Sequence, residues 1–150
     1  MKKTGISYEN AGVGQKLGSA MNYVTKEAIA AYAHSVEDFN PIYWDEKAAK
    51  EAGYPAIVAP AGFHLQSTVF KWATGVANYI PRGSIHTKER YQILKNCFVG
   101  DCLTTTVFIA DKFQKKGRDY LTYRLEISNQ NDELVAVSEM DFILSEGKQL

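Results

Sequence analysis

Residues 119–128 read DYLTYRLEIS. Leu121, Tyr123, Leu125 and Ile127 alternate with Thr122, Arg124 and Glu126, a period of two that turns one set toward a core and the other toward water. The same signature precedes it in ERYQILKNCFV (89–99) and CLTTTVFIADKF (102–113) and follows it in ELVAVSEMDFIL (133–144). Gly-Asp, Lys-Gly-Arg and Asn-Gln-Asn-Asp separate the four segments. Alternation punctuated by such turns predicts four consecutive antiparallel strands.

Before Pro81 the apolar period is about 3.6 instead of two. In GFHLQSTVFKWAT (62–74) nearly every side is apolar or small, the pattern of a helix surrounded by protein. QKLGSAMNYV (15–24) reads as a short first strand. Thr25 can cap a helix whose Ile29, Tyr32, Ala33 and Val36 form one apolar stripe, with Val24 and Ile29 spaced as a hydrophobic staple. That helix is expected to stop near Asn40, because Pro41 disfavours helical geometry in the residue before it. Asp45 suits the N-cap of a second short helix, EKAAKEA, and Gly53 its end. YPAIVAPAG (54–62) is then an extended, proline-broken approach to the long helix. The fold class is therefore α+β, one domain over residues 1–150 in which an antiparallel sheet wraps around a long central helix.

At 150 residues, 45% hydrophobic and 23% charged, the chain is apolar enough to form one core and too apolar to be disordered. Lys plus Arg and Asp plus Glu are 17 each, so no global field draws in nucleic acid or an anionic membrane. MKKTGISYEN has no apolar run behind its lysines, and no stretch approaches the roughly 20 apolar residues of a membrane span. The expected location is the cytoplasm. Cys97 and Cys102 lack CxxC spacing and suit reduced packing cysteines, while His34, His64 and His86 form no ligand cluster, so no metal is expected.

Asp38-Phe39-Asn40-Pro41-Ile42, set between two helical patterns, resembles the D-x-N-P-[aliphatic]-H motif of the MaoC-like hydratase/dehydratase family. The resemblance extends over nearly the whole chain, through WDEKAAKEAGY, the VAPAGF approach to the central helix and the FVGD turn. It implies a hot-dog domain acting on an acyl thioester of coenzyme A or of acyl carrier protein, with no cofactor. The implied reaction is addition of water to a trans-2-enoyl thioester, or the reverse dehydration, with (R)-3-hydroxyacyl stereochemistry. A homodimer, or a heterodimer with a second MaoC-like chain, is also implied. An acyl thioesterase of the same fold is disfavoured, because D-x-N-P belongs to the hydratase branch.

The chemistry explains the motif. Attacking water must lose a proton, the α-carbon must gain one, and the enolate-like oxygen needs a donor already in place. By resemblance Asp38 serves the proton, Asn40 the loop and substrate, and the backbone amide of Gly62 or Ala61 the thioester oxygen. The motif's histidine, however, is Tyr43. A phenol with an ordinary pKa of about 10 orients or donates but is a poor general base at neutral pH. Loss of a positioned acid/base group costs about 10²–10⁴ in rate. His64, in the first turn of the central helix, is the one imidazole placed to substitute for it. APAGF also resembles the Ala-Pro-Pro-Thr-Phe of N-terminal halves of two-domain hydratases and of partner subunits in heterodimeric dehydratases. In those a second hot-dog domain carries the working Asp/His pair.

Each of these residues also has an ordinary structural reading. Asp38 and Asn40 can be a polar helix end, Tyr43 a core aromatic, His64 a packed histidine and Gly62 a close-packing residue, while Asp45 reads best as a cap. The cations of KFQKKGR (112–118) read as a solvated turn, with coenzyme A phosphates or an acidic carrier as the alternative.

Overall fold

The structure, a computed structural model, describes residues 6–64 and 79–145. The elements are β1 (Lys16–Tyr23), α1 (Lys26–Ser35), a single 3-10 turn (Pro41–Tyr43), α2 (Glu46–Glu51), β2 (Ile85–Ile93), β3 (Cys102–Lys115), β4 (Arg118–Ser128) and β5 (Leu134–Ile143). Phe63 and His64 are helical. The rest of the helix expected over 62–74 lies outside the described residues.

The local signals act as the sequence suggests. The Thr25 hydroxyl accepts the Ala28 amide at 3.1 Å, and Val24 and Ile29 bury together beneath it. One Asp45 carboxylate oxygen accepts the amides of Lys47 and Ala48 at 2.8 and 3.3 Å, so this acid is occupied as a cap. Gly53, with φ of 90°, closes α2 in the left-handed conformation that lacks a steric cost only for glycine.

All strand pairs are antiparallel, in the order β1-β3-β4-β5-β2. Three of the four segments read from residue 102 backward and forward are thus neighbours in chain order, but β2 lies beyond β5 at the far edge. The reason is the linkers. Lys116 and Gly117, with φ of 52° and 70°, make a two-residue turn whose twist matches a hairpin, so β3 must fold back on β4. The segment after β2 makes no such reversal. Val58 bridges Phe98, and a Phe98–Asp101 turn joins it to the end of β1. β2 also starts earlier than the alternation at 89–99 suggests and ends at Ile93; the Leu94 and Lys95 amides both turn onto the Val135 carbonyl of β5, and from Cys97 the chain pairs with 57–59.

Leu121, Tyr123, Leu125 and Ile127 are fully buried, as the alternation requires. On the other face Thr122 departs from it and is buried too, its hydroxyl donating to Asp141 at 2.8 Å. The core forms two clusters. One gathers Leu17, Val107, Ile109, Leu121, Tyr123 and Phe142, and the other gathers Val24, Ile29, Ile57, Phe63, Leu103 and Ile127. Each such side chain contributes about 1.5–3 kcal/mol of burial. The second cluster underlies the α1 end of the molecule, where the motif residues sit. No helix among the described residues is long and apolar enough to cross a membrane.

Candidate active site

The first wall of the site is the end of α1. The helix stops at Ser35, not near Asn40, because the Glu37 amide turns back to the His34 carbonyl at 3.1 Å and the Asp38 amide to the Ala33 carbonyl at 2.9 Å. These are the paired bonds of a Schellman closure, and they require a left-handed residue between helix and exit. Glu37 takes that position with φ of 56°, where glycine is usual. Val36 consequently leaves the apolar stripe and is exposed.

This closure fixes Asp38. Its Oδ1 accepts the Asn40 amide at 3.3 Å, and Asn40 Oδ1 accepts the Ile42 amide at 3.2 Å, so two side chains hold the loop around Pro41. The 3-10 turn then swings Tyr43 back, and its hydroxyl donates to Asp38 Oδ2 at 3.0 Å. The Tyr43 ring packs against the core cluster of Val24, Ile29 and Phe63 while its polar end meets the acid. Core aromatic and site residue are therefore one arrangement. Burial of the ring, then the hydrogen bond and charge of Asp38, push the Tyr43 phenol up to about 12. At neutral pH it holds its proton and donates it to Asp38.

The second wall is the segment of residues 57–64. The Ala59 amide bonds the Cys97 carbonyl and the Val99 amide bonds the Ile57 carbonyl, each at 2.9 Å, which clamps this segment onto the Phe98–Asp101 turn. Gly62 follows with φ of 91°, and a Cβ there would stand 2.8 Å from the Tyr32 hydroxyl. Ala61 is exposed. His64 is buried, and burial lowers its pKa, against opposing influences from the Lys95 backbone and the Asp101 charge. These two influences come from the chain between β2 and β3.

Asp38, Asn40 and Tyr43 therefore form one hydrogen-bonded unit, while Gly62 and His64 flank Phe63, a member of the core cluster against which Tyr43 packs. Sequence reading placed Tyr32 only in an apolar stripe and missed its approach to Gly62. The available signal was a hydroxyl-bearing residue on an otherwise aliphatic face. Lys112, read as part of a cationic turn, lies in β3 and donates to the Tyr8 and Ala11 carbonyls at 3.3 and 3.0 Å. Only Lys115, Lys116 and Arg118 remain at that tip. Among the described residues no group of three or more His, Cys, Asp or Glu gathers as a metal site.

Residues 11–138 match the family model described as FAS1-like, dehydratase domain region. The chain belongs to this family. A relative in the same range is the UPF0336 protein of Streptomyces coelicolor, 32% identical over 120 residues that cover 77% of this chain and 79% of that one. The crystal structure of the MaoC-like dehydratase from Rhodospirillum rubrum has a similar fold, with TM-score 0.83 and 23% identity over 97% of this chain and 100% of that one. A 3R-hydroxyacyl-ACP dehydratase complex, HadBC from Mycobacterium tuberculosis, contains another similar chain, at TM-score 0.68 and 22% identity, covering 87% of this chain and 96% of that one. This dehydratase-region chain thus has the hot-dog fold that its Asp-Phe-Asn-Pro motif implies.

Proposed function

We propose that this chain is a subunit of an (R)-specific enoyl-thioester hydratase, or 3-hydroxyacyl-thioester dehydratase, that is weak alone and works beside a second MaoC-like chain. The observation that carries the reading is the Tyr43 hydroxyl on Asp38 at 3.0 Å. The acid of the motif is present and positioned, but its partner is a phenol held well above neutral pH by burial and by Asp38 itself. Such a pair can orient water or a 3-hydroxyl group and cannot supply a base of near-neutral pKa. His64 is buried, and burial disfavours its protonated form. An Asp/His pair from a partner chain completes the chemistry, and the heteromeric dehydratase among the similar structures supports that assembly.

The substrate class is an acyl thioester of coenzyme A or acyl carrier protein. The reaction is redox-neutral: the water O–H bond and the C2=C3 π bond break, the C3–O bond forms and C2 takes the proton on the released electron pair, so we assign no cofactor. Assayed with crotonyl-CoA, the chain alone should hydrate slowly, and a MaoC-like partner with an intact D-x-N-P-x-H motif should raise the rate. Tyr43→His should also raise the rate of the lone chain. A robust lone-chain rate insensitive to Asp38→Asn would overturn this assignment. Stable assembly with a partner in which Asp38→Asn leaves the complex's rate unchanged would instead make this a non-catalytic stabilising subunit.

A further inference from the structure

The Tyr32 hydroxyl stands beside Gly62 at the second wall, and nothing in the chemistry above uses it. Tyr32 is carried on the inward face of α1 between buried Ile29 and Ala33. Its ring meets Phe63 edge-on, with centroids 5.8 Å apart and planes at 86°, which fixes where the hydroxyl points. That hydroxyl is close enough to Gly62 that a Cβ would fall 2.8 Å from it, and it makes no hydrogen bond to a described residue. A half-buried phenol ordinarily satisfies its hydroxyl. Here the hydroxyl comes up against a glycine in a left-handed conformation, where any other residue would be strained and would crowd it.

We propose that Tyr32 is a substrate-binding donor: its hydroxyl hydrogen-bonds the carbonyl oxygen of the acyl thioester beside Gly62. This rests on the acyl-thioester reading of the site. The thioester oxygen gains negative charge as water adds at C3 and the electrons move toward C2. A hydroxyl donor already in place lowers that cost without transferring its proton. Tyr32 on α1 and Tyr43 on the 3-10 turn after it pack against one core cluster, which puts the proposed carbonyl donor and the Asp38 pair on the same side of the core.

The test is equilibrium binding to the full chain of crotonyl-CoA and trans-2-dodecenoyl-CoA. Each is compared with its thioether analogue, in which a methylene replaces the carbonyl. Tyr32→Phe keeps the ring against Phe63 and removes only the oxygen. It should weaken the thioesters about three- to tenfold, the worth of one hydrogen bond, and leave the thioethers unchanged. Equal losses for both ligand types, or no loss for either, would overturn the role of Tyr32 while leaving the acyl-thioester reading intact. A wild-type chain that binds neither thioester overturns both.

Discussion

The Tyr43 hydroxyl donates to Asp38 Oδ2 at 3.0 Å across five residues of chain, and the acid's other oxygen accepts the Asn40 amide. Both oxygens of Asp38 are thus occupied from its own loop, and the phenol is the group whose titration reports on the contact.

Stability should fall with rising pH between about 10 and 12. Tyr43 is raised from 10.0 to about 12 in the folded protein, so there the unfolded chain loses a proton that the native one keeps. The contribution is complete below the unfolded value and gone above the folded one. Tyr43→Phe should reduce this slope in alkaline denaturation curves, leaving the share that belongs to Tyr123 and Cys97, both also raised by burial, and should remove one high-pH component from the tyrosinate absorbance. An unchanged slope in the variant would show that the two residues are not coupled.

Glu37 holds φ of 56° to close α1 before Asp38. A non-glycine residue pays about 1–2 kcal/mol there, partly balanced by the freedom glycine adds to the unfolded chain. Glu37→Gly should stabilise by about 1 kcal/mol in urea unfolding. Destabilisation would mean that the carboxylate makes a contribution of its own.

Gly62→Ala should destabilise by about 2–3 kcal/mol, combining left-handed strain with the encounter at the Tyr32 oxygen. Adding Tyr32→Phe should recover part of the loss, because only the steric share depends on that oxygen. Strict additivity in the double-mutant cycle would indicate that the two residues do not touch.

Arg90 of the edge strand β2 reaches Asp141 of β5 through two nitrogens at 3.2 and 3.3 Å and Glu139 at 3.1 Å. Asp141 is only 8% exposed, so Arg90→Met leaves a buried carboxylate with Thr122 as its remaining side-chain donor. The expected cost is about 1–3 kcal/mol, with amide exchange accelerating in β2 before β3 and β4. Burial raises the Glu139 pKa, but hydrogen bonds and charges from Arg90 and Arg124 outweigh it and hold the group below 4.5. Its stabilisation is therefore present above pH 4.5 and lost as pH falls through the lower folded value. Acid unfolding of Arg90→Met should show a weaker dependence in that range than the wild type.

What the sequence determined by itself is what depends on near neighbours. The period of Leu121, Tyr123, Leu125 and Ile127, the caps at Thr25 and Asp45, and the Asp-Phe-Asn-Pro loop each involve residues within a turn or two of one another. Their chemistry does not wait for the fold. The missing imidazole at Tyr43 is equally legible, because identity alone states it. The tertiary structure decided the rest. Alternation says that β2 is a strand but not that it pairs with β5 across some 50 residues, since several strand orders would bury the same faces. The stop of α1 depended on Glu37 accepting a left-handed backbone, which its side chain does not favour. Lys112 is spent on carbonyls about a hundred residues earlier in the chain, a distance at which no periodicity operates. Tyr32 and Gly62 are likewise brought together only when α1 packs against residues 62–63, because close approach is a property of packed volume and not of sequence spacing.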